Sequence, residues 1–322
     1  MIREPGHQIL MLFRRMRGQM AMRAAGSLLL AVLNSLHAWL QQQPDVCLPK
    51  IKETHFFSNC DIFHRGIDWY RTRFPTPAPD AVIGEVCPDY IFSDRTPARI
   101  RKWNAKPRVV YVFRHPLERA FSHYRMSRRA GNEPLDFPSA LRQEPQRLST
   151  GGRFAYANYS YLARGRYAEQ IELWQRELPQ AESLFVKFDD LIDAGETGRR
   201  TYEQICDFLG VTSSPAIADR SLRLNVASAS RSSLIADLIH KPSSVKKLVG
   251  RCIPSRDLRH RMMLALEQWN LRPIRQQEEI RVPPQFVEEA RQQIRLLALI
   301  TGLNLDDWLA RTFLPAPVRS AA

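Results

Sequence analysis

The chain has 322 residues, 44% of them hydrophobic and 25% charged, which supplies one enzyme-sized core and argues against an intrinsically disordered chain. Lys and Arg outnumber Asp and Glu by 47 to 33, a formal net charge of +14. An anionic partner is therefore expected, but nucleic acid, a membrane surface, an acidic polysaccharide and a small phosphate-rich ligand all satisfy the charge.

The cysteines are Cys47, Cys60, Cys87, Cys206 and Cys252, an odd number with no C-x-x-C pair and no His at zinc-ligand spacing. Neither a disulfide framework nor a metal site is expected, and scattered thiols suit a reducing compartment, so the cytoplasm is the expected location. Arg14, Arg15, Arg17 and Arg23 precede an apolar run from Leu28 to Leu33 that imitates a signal peptide. The run is far shorter than the roughly 20 residues of a membrane span. His37 and Gln41 to Gln43 follow it without a small-residue cleavage pattern, so no export and no stable membrane span are expected.

In chain order, residues 1–26 are rich in Arg and Met without steady periodicity and stay unassigned or weakly helical. Leu29, Leu33, Leu36 and Leu40 give Ser27 to Gln43 a helical spacing that stops at Pro44. Phe63 to Phe74 predicts a short helix ended by Pro75, Pro77 and Pro79. Ala81 to Glu85, Arg108 to Phe113 and Ser183 to Phe188 read as buried strands. Helices are predicted over Tyr167 to Glu177, over Thr201 to Leu209 closed by Gly210, and over Pro284 to Leu309 as a docked terminal helix. Strands alternating with helices imply a parallel sheet in an α/β fold. The economical division is an unassigned segment 1–26, one domain over 27–315 and a tail 316–322.

Three segments carry chemistry. In RVVYVFRHPLERAFSHYRM, from Arg108 to Met126, a buried strand runs into Arg114, a Pro-initiated helix and Ser122 on that helix. A helix N-terminus beyond the carboxyl end of a parallel strand is a place for an anion, to which Arg114 adds a planar fork and Ser122 a hydroxyl donor. The other reading makes Arg114 the partner of a surface carboxylate and Ser122 an ordinary helix residue. In PKIKETHFF, from Pro49 to Phe57, extended backbone places Glu53 and His55 on one face. A carboxylate beside an imidazole is acid–base equipment, or else Glu53 pairs with a nearby cation while His55 caps a loop. In GEVCPDY, from Gly84 to Tyr90, Glu85 helps organise a cleft and Tyr90 stacks on a ligand, or the segment is a turn with a packed tyrosine.

These segments, with GIDWY (Gly66 to Tyr70) and FLGV (Phe208 to Val211), occur in the order seen in sulfotransferases, and the chain most resembles the heparan-sulfate-type enzymes and their bacterial relatives from about Ser35 to Leu309. The resemblance implies a P-loop-like three-layer α/β/α fold around a central parallel sheet, with an atypical first strand and loop. It also implies a donor, 3′-phosphoadenylyl sulfate (PAPS), no metal, and a hydroxyl or amine acceptor, with a saccharide expected. Arg114 and Ser122 fall on the residues that hold the donor's 3′-phosphate, and Glu53 falls on the catalytic base with His55 beside it. Ser35, on the helix that follows the family's 5′-phosphate loop, is a further donor-binding residue by this resemblance; the loop reads roughly Gly-x-x-Lys-x-Gly-Thr-Thr-Ser-Leu. Here Leu30 stands at the lysine, Val32 at the glycine, and Leu33 and Asn34 at the threonines. Leucine cannot donate to a phosphate, and valine resists the close backbone approach that glycine allows. Val86 stands where the saccharide enzymes have Lys after the glutamate of the third segment.

The abrupt boundary at Ser35 leads to the expectation of an altered reading frame or start upstream, in which case another frame of the preceding DNA encodes the loop. The implied activity is sulfuryl transfer from PAPS to the acceptor. The alternative is a catalytically impaired homologue that binds 3′-phosphoadenosine 5′-phosphate (PAP) or a glycan without the 5′-phosphate loop. A nucleic-acid binder explains the charge but not the motifs. Arg119, Arg125, Arg128 and Arg129 are expected to form a basic surface or a solvated helix face. Asn225 to Ser228 with Arg231 resembles a loop of bacterial members, and Trp269 and Trp308 are expected in the core.

Overall fold

The computed structural model describes residues 9–15, 34–213, 228–230, 271–273 and 279–316. In chain order these form β1 (Ile9–Arg15), α1 (Asn34–Gln41), β2 (Val46–Cys47), α2 (Cys60–Phe63), α3 (Gly66–Arg71), β3 (Val82–Val86), α4 (Asp89–Phe92) and α5 (Thr96–Arg101). Then come β4 (Arg108–Phe113), α6 (Pro116–Arg129), α7 (Phe137–Thr150), α8 (Gly152–Asn158), a 3-10 turn at Ala163–Gly165, α9 (Tyr167–Glu177), β5 (Glu182–Lys187), α10 (Phe188–Ile192) and α11 (Glu196–Leu209). After two short paired strands, β6 (Ser228–Ser230) and β7 (Leu271–Pro273), and β8 (Arg281–Val282), the chain ends in α12 (Pro284–Thr301), α13 (Asp306–Leu309) and β9 (Leu314–Pro315).

The β-branched and aromatic run forms β4, buried at every position after Arg108. Its side chains alternate between two faces. On one face Tyr111 meets Trp174 edge-on, with ring centroids 6.3 Å apart, and Phe113 meets Tyr167 at 5.0 Å, so that face carries α9. On the other, Arg108 Nη1 donates to the Leu209 carbonyl at 2.9 Å at the end of α11. α1 joins α11 on that side, through Trp39 against Tyr202 and Gln43 Nε2 donating to the Tyr202 hydroxyl at 2.9 Å. Helices thus cover both faces, and the expected three-layer α/β arrangement stands.

The sheet order is β2-β3-β1-β4-β5. β2 and β3 are parallel, as are β4 and β5, with Arg108 opposite Glu182 and Phe113 opposite Lys187. β1 runs antiparallel to both of its neighbours, Met11 facing Val86 on one side and Val110 on the other. The sequence reading left residues 1–26 unassigned and took the sheet as parallel, and both points need correcting. A five-residue apolar run, Ile9 to Phe13, does not declare itself strand or helix. It is a strand because the facing edges of β3 and β4 leave two rows of backbone donors and acceptors that only an intervening strand satisfies. The reversed direction matters, since β1 ends at Arg15 opposite Val82, where the parallel strands begin. No strand-to-loop exit is therefore made by β1 at the carboxyl edge. Leu30, Val32 and Leu33, and the predicted helical residues 27–33, lie outside the described residues.

Other boundaries moved for local reasons. The predicted Phe63 to Phe74 helix is realised only as α3, which starts at Gly66 with φ of 81° and ends at Arg71, while Phe63 closes the separate α2. The terminal helix stops at Gly302, φ 71°, before α13 places Trp308 in the core as expected. α7 and α8 were not anticipated. Trp269 and the rest of the Asn225 to Arg231 loop lie outside the described residues, while Ser228–Ser230 forms β6. Among the described residues no helix is long and apolar enough to cross a membrane.

Candidate donor and acid–base site

The site is built where β3 and β4 end, on either side of β1. Two inter-strand spacings, about 10 Å, separate those strands. On the β3 side Glu85 is fully buried and accepts from the Thr54 backbone N–H and from the Tyr70 hydroxyl, the latter at 2.7 Å. Burial pushes its carboxyl up to about 7, against the pull of those two donors. Glu85 thereby pins the Glu53 to His55 turn onto the sheet. Tyr90 does not stack on a ligand: it is buried, and its hydroxyl accepts from the Phe57 N–H at 3.1 Å. Phe56 and Phe57 are fully buried as well.

Glu53 and His55 were expected on extended backbone and are instead left-handed, with φ of 63° and 53°. The turn sends their side chains to separate partners. Glu53 Oε1 lies 2.5 Å from Lys52 Nζ, and its side chain is 11% exposed. His55 Nδ1 lies 3.3 Å from Asp89 Oδ2 and 3.6 Å from Cys87 Sγ. Asp89 in turn pairs through Oδ1 with Arg164 Nη1 at 2.8 Å. Burial opposes the Asp89 charge, but Arg164 and His55 outweigh it and hold the carboxyl well below the usual range. Asp89 and Arg164 were missed in the sequence. The only trace was an acidic residue directly after the Pro turn of GEVCPDY.

On the β4 side, Arg114 follows the last strand residue. His115 caps α6, accepting the Leu117 N–H on Nδ1 at 3.2 Å, and burial pushes its imidazole down to about 3, so it acts as a neutral cap. The Arg114 guanidinium lies over the Phe188 ring at 5.3 Å, with Nε 3.4 Å from Glu118 Oε2. Glu118 also takes Arg311, which is shared with Asp189 at 2.7 Å. The carboxylate partner foreseen for Arg114 therefore exists, but at long range and already engaged by a second arginine. Ser122 is half-buried on α6, two turns into the helix. Ser35 is the second residue of α1. Arg119, expected on a basic surface or solvated helix face, is instead fully buried and donates to the Ser160 and Tyr161 carbonyls. Among the described residues no cluster of His, Cys, Asp and Glu suits a metal ion.

The structure thus sets Glu53 and His55 in one turn beside the end of β3, with different side-chain partners, and Arg114 directly after β4, while Ser122 lies two turns farther along α6 and shares no described contact with Arg114. A model of the sulfotransferase domain matches residues 20–251. Mouse heparan sulfate glucosamine 3-O-sulfotransferase 3B1 is 29% identical over 223 residues, 69% of this chain and 53% of that protein. Human heparan sulfate glucosamine 3-O-sulfotransferase 6 is 29% identical over 55% of this chain and 48% of its own length. The chain spans about half the length of these curated relatives. A sulfotransferase from Alicyclobacillus acidocaldarius, known from its crystal structure, shares the fold with a TM-score of 0.57 at 20% identity, covering 87% of this chain and 96% of that one. With the family model matching well over half of the residues and the fold shared, the chain belongs to the sulfotransferase family.

Proposed function

We propose that this protein transfers a sulfuryl group from PAPS to a saccharide hydroxyl or amine. The observation that carries the reading is a carboxylate turn, Glu53 to His55, and an arginine-led helix start, Arg114 to Pro116, at the carboxyl ends of the two mutually parallel strands that flank β1. PAPS, when bound, supplies the activated sulfuryl group. The residues fit its 3′-phosphate end: Arg114 lies on an aromatic face with a weak carboxylate partner at the start of α6. No comparable cradle for the 5′-phosphate is found among the described residues. Glu53 takes the acceptor proton as the acceptor oxygen or nitrogen bonds to sulfur and the sulfur–oxygen bond to the phosphate breaks, leaving PAP. A saccharide acceptor is favoured because the relatives named above act on heparan sulfate glucosamine.

Calorimetric titration with PAP, and transfer of radiolabelled sulfate to heparosan-type oligosaccharides, test this. Binding lost in Arg114→Ala, together with transfer that falls at least about 100-fold in Glu53→Gln while PAP affinity holds, is the expected result. PAP binding without transfer to any acceptor would leave a binding protein and overturn the catalytic reading.

A further inference from the structure

We infer that Arg164 is the positioning residue that orients His55, and that the short segment from Leu162 to Tyr167 braces the acid–base half of the site against the donor half. This inference rests on the function proposed above. Arg164 is 1% exposed, donates from Nε to the Ser160 hydroxyl at 2.8 Å, and lies over the Phe92 ring at 4.5 Å. A guanidinium so enclosed has little rotamer freedom, and its ion pair with Asp89 Oδ1 at 2.8 Å, made without hydrogen-bond geometry, draws that carboxylate oxygen away from His55. The other carboxylate oxygen faces His55 Nδ1. The imidazole orientation is therefore set two links away, as a second carboxylate sets a histidine in many acid–base sites.

The same segment grips the donor side. Gly165 lies so close to the first residue of α6 that a Cβ there would meet the Pro116 Cβ at 3.2 Å. Tyr167 donates its hydroxyl to the Arg114 carbonyl at 2.8 Å. The segment is itself clamped, since the Leu162 and Ala163 N–H groups both donate to the buried Glu144 carboxylate, at 2.6 and 2.8 Å. His55 lies in the turn pinned to β3 and Arg114 directly follows β4, so this segment links the two halves of the site.

The test uses the full chain with Arg164→Met, the milder Arg164→Lys, His55→Ala and the Met/Ala double variant. Long-range nitrogen–proton spectra near pH 8 report the histidine tautomers, and the signal missing from His55→Ala identifies His55. In the wild type its Nδ1 carries the proton toward Asp89. In Arg164→Met the tautomers mix, and Arg164→Lys lies between. An unchanged His55 signal in a folded Arg164→Met, or in Arg164→Lys should the Met variant not fold, overturns the inference. For transfer, kcat falls about tenfold or more in Arg164→Met with PAP affinity unchanged, and the double variant is no slower than His55→Ala. Additive losses would mean that Arg164 acts on stability alone, which also overturns it. If the chain transfers sulfate to no acceptor, the proposed function fails while the tautomer measurement still decides whether Arg164 orients His55.

Discussion

Glu53 and His55 hold left-handed backbone that costs a residue with a Cβ roughly 1–2 kcal/mol. The strain persists because Glu85 holds the intervening Thr54 N–H from below. His55→Gly should therefore unfold at higher urea than His55→Ala, by about 1 kcal/mol, though both lack the imidazole. Equal midpoints would show that the turn relaxes without cost. Glu85 gives a pH signature. Its folded value near 7 lies above the 4.5 of an ordinary glutamate, so the stability it contributes is complete below 4.5 and is lost as pH rises through 7. The stability of the wild type relative to Glu85→Gln should thus shrink between pH 4.5 and about pH 8, measured by urea unfolding, and a gap that widens would contradict the burial. Arg114 was legible because it directly follows a strand that announces itself. Asp89 and Arg164 were not, because their pairing joins residues far apart in the chain and only the folded backbone brings them together.

At the scale of elements, β4, α9 and the Gly210 cap of α11, φ 69°, were legible from β-branched runs, helical spacing and a terminal glycine. The direction of β1 was not. A strand's residues state its faces and its burial, while parallel or antiparallel pairing is decided by the slot it enters. Because β1 is paired along both edges, the amides of Ile9–Arg15 should exchange as slowly as those of Val109 to Phe113. Exchange at the rate of an exposed segment would remove β1 from the sheet. α7 and α8 escaped notice because Pro145 inside α7 and glycines at 151 and 152 masked the periodicity.

For the whole molecule, the surplus of 14 positive charges predicts the response to salt. Binding of a sulfated oligosaccharide should weaken about tenfold or more between roughly 0.05 and 0.5 M NaCl, as the Debye length shrinks, while a neutral saccharide of the same length should respond little. Equal salt responses for the two would place the basic surplus away from the acceptor path. The charge was legible at once, but not its distribution, since Arg119 and Arg164 are spent inside the fold.

The placement of β1 also dictates an order of assembly. The parallel pairs β2–β3 and β4–β5 share no hydrogen bond of their own, so Ile9–Arg15 is the seam that makes them one sheet. β1 must wait for Phe113 before both of its partners exist, and its insertion closes loops on two sides at once. Such long-range closure is slow, and until it happens the nascent chain carries two half-sheets, each with an open edge facing the other.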